Sequence, residues 1–315
     1  MRAAIDLGSN TIRLLIVRPD SSRTPPWQVI HYHHHTARLG EGVRTNGMLG
    51  EAGMARALAA LADLLARCHR FGVADKHIMA TATAAVRHSD NGLQFCRQVA
   101  SDVGITLRVL SGEEEAALSL RGSRCVLESE VAEQMLLFDI GGASTEFVRV
   151  LDGRMVDLIS LPLGVIRLVE EGMQDDPPSA ADWAAMRQLA DGALATVEQR
   201  WQRSAASLQL PTNLVGTAGT VTTLAATEIG MAEYCADTIN SHWMSRAAFN
   251  RLRQRLSALT NAQRQEIPSI EAGRSDLIVA GAAIVDAIFT RWSYKQLRCV
   301  DAGLMEGVLA EAIAG

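Results

Sequence analysis

The sequence predicts an α/β protein built from two similar halves, on three observations. Strand-like and helix-like runs alternate along the chain. A strand, glycine turn and second strand open the chain at residues 2–17, and the same pattern returns at residues 135–150. The length of 315 residues suits about two domains, and 48% hydrophobic content with 21% charge excludes a disordered chain.

In order, RAAIDLGSNTIRLLIV (2–17) reads as a hairpin with a polar Gly-Ser-Asn tip. Met54, Leu58, Leu61, Leu64 and Leu65 recur at helical spacing and predict a helix over 51–71. KHIMAT (76–81) is a short strand, leading into a polar turn and helix start over 82–91. Residues 107–110 form another strand. Ser111, followed by Glu113, Glu114 and Glu115, opens a helix, because an N-cap hydroxyl and early acids suit a helix N-terminus. MLLFDIGGASTEFVRV (135–150) repeats the hairpin, laying Asp139 on Asp6, Gly141 on Gly8 and Ser144 on Thr11. Helical periodicity covers 180–208 and 246–259, and DDPPS (175–179) is a loop inside the second half. The boundary between two lobes falls near 118–132, with a cleft expected between them.

Thirty Lys+Arg against 35 Asp+Glu give a net charge of −5, so a basic nucleic-acid footprint is missing, and few Trp or Tyr offer a stacking ladder. Lys76 and Lys295 are the sole lysines. Arginine dominance reflects either genome composition or a need for bidentate phosphate contacts. Cys68, Cys96, Cys125, Cys235 and Cys299 are scattered and odd in number, which fits reduced thiols in a cytoplasmic protein. Asp6 interrupts the N-terminal apolar run too early for a signal peptide. Residues 277–289, broken by Asp286, are too short to span a bilayer, so no membrane association is expected.

Three segments carry candidate chemistry. Each glycine-hydroxyl hairpin tip lets backbone N–H groups approach an anion, and Asp6 would hold a divalent cation directly or through water. Taken alone, each tip is equally an ordinary polar turn; one per half points to phosphate. VGTAGTVTT (215–223) reads as a strand entering a glycine-hydroxyl turn and a helix, a third anion site offered by Gly216, Thr217, Gly219 and Thr220. It is neither a Walker loop nor a dinucleotide fingerprint. The consecutive glutamates 113–115 fan around one helical turn, ordinarily a solvated face, so a single one would look toward a ligand. Glu146, just after the second glycine turn, would face the same ligand. Such a pair suits phosphoanhydride hydrolysis, one acid as base on a water and the other orienting that water or holding Mg²⁺. His31, His33, His34 and His35 alternate faces on a strand and lack a carboxylate partner at useful spacing, so they read as solvated or incidental.

Several segments together resemble the exopolyphosphatase and guanosine pentaphosphate phosphohydrolase (Ppx/GppA) family. They are AAIDLGSNTIRLLI (3–16), RLGEG (38–42), ATAAVR (82–87), VLSGEEEA (109–116), LLFDIGGASTEFV (136–148), SLPLGVIRL (160–168), VGTAGTVTTLA (215–225), GRSDLIVAGAAI (273–284) and DAGLMEGVL (301–309). The resemblance implies an actin/hexokinase/Hsp70-like, ribonuclease-H-like duplicated fold of two lobes. The first would span 1–120 plus a returning C-terminal helix at about 303–315, and the second 121–302. It also implies Glu115 as catalytic base, Glu146 as its partner and Asp139 in Mg²⁺ or water binding. Gly141, Gly142 and Ser144 would contact the terminal phosphate opposite Ser9 and Asn10, and Arg87 would neutralise its charge. Ala143, Ala117 and Met305 replace a glycine and two arginines usual in the family. The implied activity is Mg²⁺-dependent release of terminal phosphate from polyphosphate, with Mn²⁺ as the substitute cation. Its alternatives are guanosine pentaphosphate hydrolysis, a sensing module without turnover, and a kinase of the same superfamily. A homodimer is compatible with the reading.

Overall fold

The computed structural model describes residues 1–203, 209–271 and 273–314. The chain divides into two compact units, Met1–Val126 with Ala302–Gly315, and Leu127–Asp301.

In the first unit, β1 (Arg2–Leu7) and β2 (Thr11–Pro19) form the opening hairpin and β3 (Trp27–Thr36) pairs with β2. Then come α1 (Val43–Asn46), α2 (Glu51–Arg70), β4 (Ile78–Ala82), α3 (Ala84–Arg87), α4 (Gly92–Asp102), β5 (Leu107–Val109) and α5 (Gly112–Arg124). The sheet order is β3-β2-β1-β4-β5, with β1, β4 and β5 parallel. Ala3, Ala4, Ile5 and Leu7 of β1 are all buried because both faces of the strand are covered. Ala3, Ile5 and Leu7 pack with Leu61 and Leu64 of α2 and Phe95 and Val99 of α4. Ala4 packs on the other face with Leu15, Val17 and Leu118 of α5. Asp6 shares that second face by the two-residue period of a strand. A boundary at residue 120 would cut α5, which continues to Arg124; the first unit runs on to Val126, inside the 118–132 stretch.

The second unit holds α6 (Ser129–Glu133), β6 (Met135–Ile140), β7 (Thr145–Leu151), β8 (Arg154–Leu161), α7 (Val165–Gly172), α8 (Ala180–Arg203) and β9 (Asn213–Thr217). It continues with α9 (Ala218–Ile229), α10 (Ala236–Asn240), β10 (Trp243–Ser245), α11 (Arg246–Ala258), α12 (Asn261–Gln265), α13 (Ile278–Trp292) and β11 (Gln296–Cys299). Residues 204–208 of the expected helix, and residue 315 of the closing one, lie outside the described residues. The sheet order β10-β11-β9-β6-β7-β8 contains, as β8-β7-β6-β9-β11, the order of the first sheet. The hairpins agree in detail: Gly8 N–H donates to the Thr11 carbonyl at 3.1 Å, and Gly141 N–H to the Ser144 carbonyl at 2.9 Å. This is the duplicated ribonuclease-H-like arrangement of the actin/hexokinase/Hsp70 type. Leu136, Phe138, Ile140 and Phe147 face a core shared with α8 and α13.

The final helix, α14 (Leu304–Ala314), belongs to the first unit and lies along α5. Glycine permits the approach: a Cβ on Gly122 would sit 1.9 Å from the Gly303 carbonyl oxygen, and one on Gly307 2.0 Å from that of Leu118. Met305 is buried in the same apolar cluster as Leu118 and Val308. Methionine therefore serves packing here, where the resemblance led us to expect charge at a binding surface.

Candidate active site

In the first unit the Gly8–Asn10 tip is fixed by the segment after β3. Asn10 accepts from the N–H groups of Ala37 and Arg38, and the Ser9 carbonyl accepts from Gly40 N–H at 2.7 Å. Ser9 is buried, and the Asn10 Oδ1 atom is buried without a partner among the described residues. Asp6 is 2% exposed, with Oδ2 accepting from Arg13 Nε at 3.1 Å while Oδ1 is buried without a hydrogen-bond partner among the described residues. A buried carboxylate oxygen left unpaired is costly. It is the atom on which a water or cation would be held.

The three consecutive glutamates take three different roles. Glu113 is exposed. Glu114 closes a capping box with Ser111 and pairs with Arg108 at 2.7 Å, a cap stabilising α5 by about 1 kcal/mol. The Arg108 hydrogen bond, helped by the Ser111 N–H, holds the Glu114 carboxyl below its usual range. Glu115 alone of the three meets Arg87, whose Nη1 donates to Glu115 Oε2 at 3.1 Å and to the Leu110 carbonyl at 2.7 Å. Arg87 thus spans the end of α3 and the first turn of α5, and it is held by Glu115 in this structure.

In the second unit the hairpin register sets Asp139 of β6 directly opposite Glu146 of β7. Thr217 of β9 is paired with Asp139, and Ser160 of β8 with Glu146. These four polar residues form a row across four strands, on the face turned away from Phe138 and Phe147. Ser160 Oγ donates to Glu146 Oε1 at 2.7 Å, and Glu146 is 2% exposed. The Gly141 and Gly142 carbonyls accept from Val165 and Ile166 N–H at the start of α7, which ties the turn to that helix. Ser144 is buried beside them. Ala143 is not strained, because the positive-φ residues other than glycine among those described are Arg38, Asp152, Ala218 and Ser293. Gly164, which the sequence did not single out, is the demanding position: its Cβ would lie 2.3 Å from the Gly142 carbonyl oxygen.

The third segment departs from its sequence reading. β9 enters α9 without an intervening glycine-hydroxyl turn, through Ala218 at φ 69°. Gly216 lies inside the strand, its backbone paired on both sides and its missing side chain replaced by the Phe138 ring, 2.6 Å from where a Cβ would be. A phosphate contact at Gly216 is therefore corrected to a packing role. Gly219 lies under the Arg274 guanidinium, and the Thr220 methyl packs on Gly281 of α13. Thr217, at the end of β9, remains in the polar row. Arg274 was not named from sequence; the glycine it covers was the available signal.

The histidines also need correction. His33 and His35, two apart on β3, share a face, and α2 brings Asp63 to them: His35 Nε2 lies 2.8 Å and His33 Nε2 3.9 Å from Asp63 Oδ2. The carboxylate partner missing nearby in sequence arrives from 28 residues away.

A duplicated fold with a glycine-hydroxyl hairpin in each unit, and buried carboxylates beside both, defines a phosphate-handling protein. Residues 15–314 match the Ppx/GppA phosphatase family, and the chain belongs to that family of phosphatases. It is 32% identical to Exopolyphosphatase 2 of Mycobacterium tuberculosis, over 99% of this chain and 98% of that protein. It is 29% identical to Exopolyphosphatase 1 of Mycobacterium bovis, over 97% of this chain and 86% of that one. The crystal structure of an exopolyphosphatase from Cytophaga hutchinsonii superposes with a TM-score of 0.88 at 28% identity, covering 99% and 97% of the two chains. Among the described residues, no helix is long and apolar enough to cross a membrane.

Proposed function

We propose that the protein hydrolyses inorganic polyphosphate from its end, releasing one phosphate per attack by water. Glu115 accepts the proton of that water, and Arg87, released from Glu115 as phosphate arrives, offsets negative charge on the substrate. Gly142 N–H, Ala143 N–H and the Ser144 hydroxyl hold the terminal phosphoryl oxygens. The likeness to the two mycobacterial exopolyphosphatases supports polyphosphate as the substrate.

The observation that carries this reading is the Asp139–Glu146 pair. Two carboxylates directly opposite each other on adjacent strands repel. A hard divalent cation with oxygen ligands offsets that repulsion, so the donor set suits Mg²⁺, or Mn²⁺ in its place. Asp139 and Glu146 would hold the cation. When bound, it supplies charge neutralisation for a polyanionic substrate. Glu146, steadied by Ser160, orients the attacking water.

The test is phosphate release from polyphosphate and from guanosine pentaphosphate, offered singly and in competition. Polyphosphate turnover should dominate, and Glu115→Gln should lower kcat by about 10²–10⁴-fold. Preferred release from guanosine pentaphosphate would transfer the assignment to that substrate. Tight binding of polyphosphate without any release would overturn hydrolysis itself.

A further inference from the structure

We propose that His33, His35 and Asp63 form a binding site for a transition-metal cation of the zinc class, which ties the edge strand β3 to α2. The site uses none of the groups assigned to phosphate hydrolysis.

One donor atom from each of the three residues lies within 4.8 Å of the others. Tetrahedral coordination with bonds of about 2.0–2.1 Å puts ligand atoms about 3.3 Å apart. The observed separations of 2.8 and 3.9 Å from Asp63 Oδ2 bracket that value, so small side-chain rotations suffice. The backbone already does the larger work: β3 sends both imidazoles to one face, and α2 presents Asp63 to them. The imidazole pair distinguishes this site from one for Mg²⁺ or Ca²⁺, since nitrogen donors favour zinc, copper, nickel or cobalt.

The protonation states also suit a ligand set. Burial and the neighbouring Arg67 push the His33 pKa down, so its imidazole is neutral at pH 7. Hydrogen bonds from Arg67 and His35 hold Asp63 at about 2, so it is ionised. His35 Nε2 and Asp63 Oδ2, 2.8 Å apart in the structure, would both turn to the cation. Arg67 Nε, 2.6 Å from Asp63 Oδ2, remains as the outer hydrogen bond that orients the carboxylate. Its charge lowers cation affinity without displacing a donor, and a water completes the coordination.

The test is a Co²⁺ titration of chelator-treated protein in excess Mg²⁺ and without polyphosphate, read by equilibrium dialysis and visible absorption. Wild type should bind one Co²⁺ per chain with a tetrahedral-type spectrum. His33→Ala, His35→Ala and Asp63→Asn should each weaken binding by about 100-fold or more. His33→Ala breaks the longer of the two histidine approaches to Asp63 and so disturbs the metal-free fold least; an unchanged Tm in chelator confirms that it folds. Undiminished Co²⁺ binding in His33→Ala/His35→Ala, or no binding by wild type once Mg²⁺ is in excess, overturns the site. Neither result depends on which phosphate substrate the protein hydrolyses.

Discussion

Asp139 and Glu146 occupy directly opposed positions on β6 and β7, and their counterparts in the first hairpin, Asp6 and Arg13, are opposed in the same register. The duplication therefore placed an ion pair in one unit and two acids in the other. Arg13 neutralises Asp6 within the protein. In the second unit the residue opposed to the aspartate is a second acid, Glu146.

That difference makes Asp139→Asn a test of cation use. Removing one charge of the pair should leave the fold intact and raise the Mg²⁺ concentration for half-maximal phosphate release by about tenfold or more. An unchanged Mg²⁺ requirement would remove Asp139 from the cation site.

Arg87 bonds both Glu115 and the Leu110 carbonyl. Arg87→Ala should lower kcat by about ten- to a hundredfold, the worth of a charged hydrogen bond. Arg87→Lys retains charge without the guanidinium geometry and should recover part of the loss. Steady-state kinetics should locate the effect in kcat as well as KM; a change in KM alone would limit Arg87 to substrate binding.

Close approach of α5 and α14 rests on Gly122 and Gly307. Gly307→Ala should destabilise the protein by at least about 1–3 kcal/mol, because its methyl would overlap the Leu118 carbonyl and rigid helix backbone must shift. Denaturant unfolding should show the midpoint fall, whereas an unaltered midpoint would show that the two helices separate freely.

His31 stacks on Phe71 with ring centroids 4.7 Å apart, and burial together with Arg67 and Arg70 pushes its pKa below 6.5. The unfolded chain takes up a proton near pH 6.5 while the folded form resists it, so this contribution is present above that pH and is lost as pH falls toward the folded value. Tm should decline from about pH 7.5 to 5.5, and less steeply in His31→Asn. Equal slopes would exclude His31 as a source of the decline.

Much of the fold was legible because its signals are local. Asp-Leu-Gly-Ser-Asn and Asp-Ile-Gly-Gly each end a buried strand, and Ser111 with Glu114 spells a capping box. Glu114 and Glu115 could not be told apart by type; their roles follow from Arg108 on β5 and Arg87 on α3, neither adjacent in sequence. Gly216 misled because a glycine that accommodates a phenyl ring and one that admits a phosphate look the same in sequence. The β3 histidines were misread for a different reason, since their carboxylate partner lies far away in sequence. Asp63 reaches those histidines only through packing of α2.

The most direct measurement is the kinetics of Glu115→Gln, Glu146→Gln and the double variant on polyphosphate, at saturating Mg²⁺ and with folding checked by Tm. If both acids serve one water-attack step, each single change should cost at least about 10²-fold in kcat, and the double should be little worse than the poorer single. Near-wild-type turnover in either single variant, or losses that simply multiply in the double, would contradict the account.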